Sequence, residues 1–259
     1  MFIVERDQNI PGKREIPQDL GVAEWVRSSL GFDADATQAR VLDTRSKRVL
    51  LNCTRQWGKS TVTAARAVHE AVSNAGSLTI AVSPSARQTG EFVRKAKEFA
   101  SRLRMRVKGD GHNEMSLAFP NGSRIVGLPG TEATVRGFSA VALLLVDEAS
   151  RVGDDLYMAI RPMLAVSGGT LWLMSTPRGK RGFFYEAWAN GGPTWERVSV
   201  KAEDCPRFLA SHLEDERRTM GERTYRQEYG CEFEDTTSAV FSRDLIEAAF
   251  TSDFGPLDL

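Results

Sequence analysis

The chain has 259 residues, of which 41% are hydrophobic and 26% are charged, as expected for a globular protein with one sizeable core. Its 34 basic and 34 acidic residues cancel, which excludes a domain that coats nucleic acid by bulk charge alone but permits local basic stripes. No apolar run reaches the length of a membrane-spanning helix, residues 1–15 lack the apolar segment of a signal peptide, and the cysteines form no CxxC pair. We therefore expect a cytoplasmic protein without a membrane partner, a disulfide framework or a zinc site.

The first 205 residues divide into two patterns. Residues 1–45 are predicted to form a polar arm and then two short helices, at 20–30 and 37–43. In residues 46–205, strand-length apolar runs alternate with amphipathic helices. The predicted strands are 48–53, 78–83, 123–128, 141–147, 170–175 and 195–200, and the predicted helices are 59–74, 86–104, 154–165 and 182–190. This alternation predicts an α/β fold, a mostly parallel sheet with helices on both faces.

Three segments depart from the alternation. Short strands at 105–108 and 114–119, separated by Gly109-Asp110-Gly111, are predicted to pair as an inserted hairpin. Residues 206–250 are charged and helical, with a last helix at 243–250, and are predicted to form a small lid or linker lobe. Residues 251–259 are interpreted as the start of a linker to a further domain.

A glycine-lysine motif follows the first strand at once. The segment Arg55-Gln56-Trp57-Gly58-Lys59-Ser60-Thr61 lies between strand 48–53 and a helix, the context that gives this motif its meaning. Backbone N–H groups of such a loop and the helix dipole favour phosphate, Lys59 would reach the β and γ phosphates, and the Ser60 hydroxyl would hold Mg²⁺. The position of the motif's usual first glycine is Cys53, so the strict pattern is broken. The sequence still predicts an ATP site here.

Two carboxylates end a buried strand about 90 residues later. Asp147 and Glu148 follow Leu143-Leu144-Leu145-Val146, and open α/β sheets bind ligands at the carboxyl ends of their strands. We expect Asp147 to hold Mg²⁺ through water and Glu148 to orient or deprotonate the attacking water.

At these motifs the chain resembles a known family. RQWGKST, TVRGFSAVALLLVDEA and LWLMSTPRGKRGFFYEAW, in this order, resemble the ATPase half of the large terminase subunit of tailed bacteriophages, over residues 35–235. The resemblance implies a RecA/ASCE-like P-loop NTPase in the host cytoplasm that hydrolyses ATP to drive double-stranded DNA into a procapsid. It further implies a homo-oligomeric ring on a portal, with a small terminase subunit as a further partner.

The resemblance also implies roles for individual residues. It assigns phosphate binding to Gly58, Lys59, Ser60 and Thr61, and metal and water chemistry to Asp147 and Glu148. The arginine of the family's phosphate loop matches Arg55, which would sense the γ-phosphate, and Gln38 stands where the family often has an adenine-reading glutamine. Ser175-Thr176-Pro177 matches the coupling motif, and Arg136 matches the candidate arginine finger, acting in its own subunit or on a neighbour.

The chain departs from the family at its end. A complete large terminase also carries a C-terminal nuclease domain, for which the residues after Phe250 are too few, so we expect either an excised ATPase part or a shortened relative. Two alternative functions stay open: a helicase-like nucleic-acid-dependent ATPase, and a weakly active nucleotide-dependent ring-assembly module. The basic residues between Arg87 and Lys108 are a solvated helix face, a surface that contacts the DNA backbone, or a contact with a neighbouring subunit of a ring.

Overall fold

The computed structural model describes residues 20–130 and 137–235. Within them, seven strands form one sheet: β1 (Arg48–Cys53), β2 (Leu78–Ser83), β3 (Ser116–Ala118), β4 (Arg124–Pro129), β5 (Leu143–Asp147), β6 (Thr170–Ser175) and β7 (Glu196–Val200). Their spatial order is β3-β4-β2-β5-β6-β1-β7, and every pairing is parallel except that of β3 with β4. The predicted mostly parallel sheet is confirmed.

Helices cover both faces of this sheet. The helices of the described residues are α1 (Val22–Leu30), α2 (Ala36–Asp43), α3 (Lys59–Ser73), α4 (Ala86–Arg102), α5 (Asp154–Ile160), α6 (Gly182–Asn190), α7 (Ala210–Met220) and α8 (Glu222–Glu228), with 3₁₀ turns at Ala149–Arg151 and Arg161–Leu164. Because side chains alternate across a strand, β1 sends Val49 and Leu51 into one core with α1 to α4, and Leu50 into a second core with α5 and α6. The two cores fix the sheet between two helical layers.

The predicted hairpin is wrong in its pairing. Residues 105–108 form no strand, and their contact with 114–119 is reduced to one antiparallel bridge between Lys108 and Ala118. The short strand β3 pairs instead with β4, so it lies at the edge of the main sheet.

The reason lies in the loop around Asp110. Its Oδ1 accepts hydrogen bonds from the backbone N–H groups of His112 and Asn113, and its own N–H donates to Ser116 Oγ. Such side-chain bonds close a wide loop in place of the tight turn that the predicted hairpin needs.

One predicted helix is shorter in the structure than in the prediction. The helix predicted at 154–165 ends as an α-helix at Ile160 and continues as a 3₁₀ turn, because Pro162 has no N–H to donate to the preceding turn. The helix predicted at 243–250, the arm at 1–15 and Arg136 lie outside the described residues.

The C-terminal helices α7 and α8 have a small core of their own. Leu213, Tyr225 and Tyr229 pack together with Ala202, which follows β7. Two hydrogen bonds join this unit to the sheet. The backbone N–H of Ala202 donates to Tyr229 O over 2.8 Å, and the side-chain Nδ2 of Asn52 in β1 donates to Cys231 O over 2.8 Å. We call α7 and α8 with residues 229–235 the C-terminal lobe; its separation from the core at residue 206 stays a prediction.

Candidate nucleotide site

The segment between β1 and α3 is a tight loop that ends in a helix N-terminus. Gly58 has φ +102°, and a Cβ there would lie 2.9 Å from Gln38 Nε2, so only glycine fits without a shift. Gln56 also has a left-handed backbone, with φ +58°, which a non-glycine residue rarely adopts. The N–H groups of Lys59 and Ser60 begin α3, and the first N–H groups of a helix have no partner within it. The loop therefore presents backbone donors to an anion.

Lys59 is folded against the start of this loop. Its Nζ donates to Cys53 O over 2.7 Å and to Thr54 O over 2.9 Å, and the residue is 7% exposed. An ammonium group has three N–H donors, so the third N–H of Lys59 can bind an acceptor outside the loop. Cys53, which stands at the position of the motif's usual first glycine, binds Lys59 through its carbonyl oxygen.

Gln38 anchors the loop from behind. Its Oε1 accepts from Asp35 N and its Nε2 donates to Trp57 O over 2.7 Å, and Gln38 and Trp57 are both buried. Arg207, which precedes the C-terminal lobe, donates to the same carbonyl over 2.6 Å and pairs with Asp35. Gln38 is thus adjacent to the loop as expected, but its role in reading adenine stays a prediction.

Asp147 and Ser60 come together across the sheet. The strand β6 separates β1 from β5, and parallel pairing brings the carboxyl ends of all three strands to one edge. Ser60 Oγ donates to Asp147 Oδ2 over 3.3 Å, and Glu148 N donates to Asp147 Oδ1 over 3.0 Å. Burial, with the negative charge of Glu148, raises the pKa of Asp147 above its ordinary value, against the opposing charge of Lys59.

Glu148 has an unusual backbone. Its φ and ψ are +49° and +43°, in the left-handed region, at the junction of β5 and the turn Ala149–Arg151. Such a conformation costs free energy and is found where the surrounding structure holds a functional side chain. The carboxylate of Glu148 lies 3.6 Å from Arg151 Nη1.

The oxygen atoms of this edge fit a hard divalent cation. A carboxylate and a hydroxyl already converge in Asp147 and Ser60, and Mg²⁺ is usually bound by one or two carboxylates together with substrate phosphates. Within residues 20–130 and 137–235, no group of three or more His, Cys, Asp or Glu side chains could hold a metal by itself. The site therefore suits an ion that arrives with a phosphate.

The residues Ser175-Thr176-Pro177 lie at the carboxyl end of β6, of which Ser175 is the last residue, between the loop and the acidic pair. Ser175 Oγ is 2.7 Å from Ser150 Oγ, and Ser150 Oγ also donates to Thr176 O over 2.9 Å. Thr176 Oγ1 donates to Glu228 Oε2 over 3.2 Å. The motif is thus bonded to the turn that follows Glu148 and to the C-terminal lobe, while its role in coupling stays a prediction.

Glu228, at the end of α8, joins three parts of the site. Its carboxylate accepts from Arg55 Nε over 2.7 Å, from Arg151 Nη2 over 3.2 Å and from Thr176. Burial would raise the pKa of Glu228, but the hydrogen bond from Arg55 and the charges of Arg55 and Arg151 lower it below its ordinary value. The carboxylate is therefore ionised at neutral pH.

A cleft of about 310 Å³ opens beside the acidic pair. It is lined by Ser60, Asp147 and Glu148 from the sheet edge and by Arg87, Gln88 and Lys95 from α4. Lys95 Nζ lies 3.4 Å from Thr61 Oγ1, at the start of α3. The α4 wall of the cleft thus carries two basic residues, Arg87 and Lys95, and one acidic residue, Glu91.

The structure brings together most of the residues expected from the sequence. Arg55 to Thr61, Asp147, Glu148 and Ser175 to Pro177 all lie at one edge of the sheet, and Gln38 lies behind the loop. Sequence reasoning missed Ser150, Arg151, Arg207 and Glu228. Of the contacts it missed, the capping box of Asp35 with Gln38 had a readable signal, an Asp three residues before a Gln at a helix start.

A parallel sheet with a Gly-Lys-Ser loop after β1 and an acidic pair after β5 defines the fold of the P-loop ATPases. The family model described as "Terminase large subunit, T4likevirus-type, N-terminal" matches residues 50–248. The chain therefore belongs to the large terminase subunit family.

Individual relatives agree with this assignment. The large terminase subunit of Thermus virus P23-45 is 27% identical over 82% of the chain, which spans about half (51%) of that protein. The large terminase ATPase domain of Thermus phage P74-26 has a TM-score of 0.74 at 23% identity and covers 83% of this chain and 99% of its own. The large terminase of another thermophilic bacteriophage, solved in complex with ADP, has a TM-score of 0.62 at 15% identity and covers 82% of this chain and 52% of its own. At these identities the two structures show the fold alone.

Proposed function

We propose that this chain is the ATPase motor part of a viral large terminase, which hydrolyses ATP to move double-stranded DNA into a procapsid. The observation that carries the proposal is the convergence of Lys59, Ser60, Asp147 and Glu148 at one sheet edge, beside an open cleft. The family membership supports the same conclusion, as does the complex of one structural relative with ADP.

In the proposed reaction the loop binds the phosphates of ATP. The N–H groups at the start of α3 and the free N–H of Lys59 bind phosphate oxygens, and Arg55, whose side chain is 58% exposed, senses the γ-phosphate. Glu148 accepts a proton from the attacking water or orients it. Gln56, Trp57 and Thr61 complete the loop, and Gln38 is proposed to read the adenine.

Ser60 and Asp147 are the residues that would hold Mg²⁺. The bound ion would neutralise charge that develops on the phosphate oxygens. In the described part of the chain no helix has the length and apolar character to cross a membrane. As partners we propose double-stranded DNA, a ring of identical subunits on a portal, a small terminase subunit and a nuclease domain of the full-length protein, in the host cytoplasm.

The first test measures ATP turnover with and without duplex DNA. Glu148→Gln keeps the size of the side chain but removes its charge, so we expect ATP to bind as in the parent while turnover falls by about 10²–10⁴-fold. Lys59→Ala should weaken both binding and turnover. Glu214→Gln, on an exposed residue paired with Arg218, is the control and should match the parent. Near-normal turnover in Glu148→Gln would remove Glu148 from the reaction, and a parent without turnover in either condition would contradict the proposed function.

Arg136 is proposed as the arginine finger, on the sequence resemblance alone. Arg136→Ala should bind ATP and lose most turnover, because such a finger contributes about 10³–10⁵-fold in rate. Mixing this variant with Glu148→Gln should restore part of the activity if the arginine acts on a neighbouring subunit. Unchanged turnover in Arg136→Ala would return the residue to a surface role.

A further inference from the structure

The cleft beside the acidic pair is faced by two basic side chains from α4. Asp147 and Glu148 line it from the sheet edge, and Arg87 and Lys95 line it from the helix. Its volume of about 310 Å³ is several times the share of about 30 Å³ that one water molecule takes in the liquid. The cleft therefore has room for a small anion together with some of its water.

Lys95 is held next to the phosphate loop. Its Nζ donates to Thr61 Oγ1 over 3.4 Å, so the ammonium group lies at the first turn of α3, where backbone N–H groups are proposed to bind phosphate. An ammonium group has three N–H donors, and this bond uses one of them. Within residues 20–130 and 137–235, Lys95 forms no ion pair with a carboxylate. Its charge is therefore available to an anion in the cleft.

Arg87 is available in the same way. It is the second residue of α4, where its charge adds to the positive end of the helix dipole, and it has no carboxylate partner among the described residues. The acidic residue of this wall, Glu91, accepts from Arg94 Nη2 over 2.6 Å and from Arg94 Nε over 3.2 Å. The hydrogen bond from Arg94 holds the pKa of Glu91 below its ordinary value. Glu91 thus already has a cation, and it does not take up Arg87.

The proposed reaction produces an anion at the inner end of this cleft. The bond between the γ-phosphorus and the bridging oxygen breaks, ADP keeps that oxygen, and the phosphate takes up the oxygen of the attacking water. The new phosphate is then beside Ser60 and Glu148, which both line the cleft. The charge of Glu148 repels the phosphate, while the charges of the two basic side chains on α4 attract it. Both forces act in the same direction, from the acidic pair towards α4.

We propose that Lys95 and Arg87 bind the inorganic phosphate released from ATP, and that this phosphate leaves the site through the cleft. The inference rests on the proposed function, because it names the residues that bind a product of that same reaction. The two basic residues then set how long the product stays in the site. They also set how strongly added inorganic phosphate inhibits ATP turnover.

The test measures the binding of radiolabelled inorganic phosphate to the protein with Mg²⁺ and ADP, by equilibrium dialysis. Lys95→Met keeps an unbranched apolar side chain and loses the charge. We expect the dissociation constant of phosphate to rise by about tenfold or more, as for the loss of one hydrogen bond to a charged group. Potassium chloride at equal ionic strength shows how much of any change is screening. Arg87 is exposed, so Arg87→Gln gives an independent variant if Lys95→Met does not fold, and it should act in the same direction.

A second readout is the steady-state inhibition of ATP turnover by added phosphate. The inhibition constant should rise by the same factor as the dissociation constant, while KM for ATP changes by less than about threefold. A rise in KM as large as the rise in the inhibition constant would assign the two residues to ATP binding and overturn the proposal.

The matched control is Lys97→Met, which removes the same charge from the same helix. Lys97 is exposed and is not among the residues that line the cleft, so this variant should bind phosphate like the parent. Unchanged phosphate binding in the folded Lys95 and Arg87 variants, or an equal loss in the control, would overturn the proposal. A parent that binds phosphate in this way but hydrolyses no ATP would instead contradict the proposed function.

Discussion

His69 on α3 shows how a single side chain can make the stability of the fold depend on pH. Its ring meets that of Trp25 edge to face, with centroids 4.9 Å apart, and its Nδ1 is buried without a hydrogen-bond partner within the described residues. Burial, with the positive charge of Arg66, lowers the pKa of His69 to about 4, against the opposing charge of Asp43. The ring is therefore neutral in the folded chain at neutral pH.

The lowered pKa predicts acid sensitivity between pH 6.5 and 4. In that window the unfolded chain, with a histidine pKa of 6.5, binds more protons than the folded chain, so the free energy of unfolding falls as the pH falls. The slope from this group is at most about 1.4 kcal/mol per pH unit. Urea unfolding across this window should show it, and His69→Phe, which keeps a ring against Trp25, should flatten it.

The control for this prediction is His112→Asn, at an exposed position in the loop around Asp110. It should keep the slope of the parent. An equal slope in the parent and in His69→Phe would show that other groups cause the acid sensitivity.

From the sequence, residues of the candidate site could be located, but the residues that contact them in the fold could not all be predicted. Lys59, Ser60, Asp147 and Glu148 could be found because strand ends and local motifs mark them. Glu228 could not be found, because its meaning depends on contacts with residues that are 52 to 173 positions away in the chain. No local pattern distinguishes such a glutamate from the exposed ones beside it.

Among the elements, α4 lies unusually close to β4. A Cβ added at Gly127 of β4 would lie 2.5 Å from Thr89 Cγ2 and 2.9 Å from Val93 Cγ2, both on the helix. Gly127 N–H also donates to Met115 O over 2.8 Å, and the added Cβ would lie 3.4 Å from the same oxygen. The absence of a side chain at Gly127 is thus what lets the helix rest on the sheet.

Gly127→Ala should therefore destabilise the fold by overpacking. We expect the free energy of unfolding to fall by about 1–3 kcal/mol, measured by urea denaturation. Gly153→Ala is the matched control, since a Cβ there meets nothing within 4 Å, and it should stay within about 0.5 kcal/mol of the parent. An equal free energy of unfolding in the two variants would mean that α4 can move away from β4 without measurable destabilisation.

Strands and helices were predicted correctly where their own residues carry a clear pattern of apolar and polar positions. The strands β1, β2 and β6 have the predicted bounds, because each is a mainly apolar segment of strand length with polar residues near its ends. The edge strand β3 was given the wrong partner, because a three-residue strand carries too little pattern to choose one. In the C-terminal lobe, only the pair Tyr225 and Tyr229, at helical spacing, hints at the face that packs.

The whole molecule has no net charge, so the proposed contact with DNA depends on local positive residues. Of the basic residues along α4, Arg94 binds Glu91 and Glu98, and Arg102 lies over the ring of Phe99. Exposed basic residues follow the helix, at Arg104, Arg106 and Lys108. These three are the better candidates for phosphate contacts.

We predict weak, salt-dependent binding of duplex DNA. Each phosphate that the protein neutralises contributes about −0.9 to the slope of log affinity against log salt. Replacing Arg104, Arg106 and Lys108 by Gln together should lower the affinity and make this slope shallower, measured by filter binding at several salt concentrations. The control replaces Arg27, Arg217 and Arg218, which have acidic partners on the surface, and should keep the slope. Tight binding that does not respond to salt would contradict the prediction.

The contact between Cys231 and the sheet makes this cysteine a natural probe for separation of the C-terminal lobe from the sheet. Cys231 Sγ donates to Val200 O, and burial raises the pKa of this thiol to about 12. Because only the thiolate reacts with alkylating reagents, Cys231 is protected while the lobe rests on β7 and becomes reactive when the lobe departs. Cys53 and Cys205 are buried as well, so the background reaction is low. The rate at which Cys231 is alkylated would then report how often the lobe leaves the sheet, without an engineered probe residue.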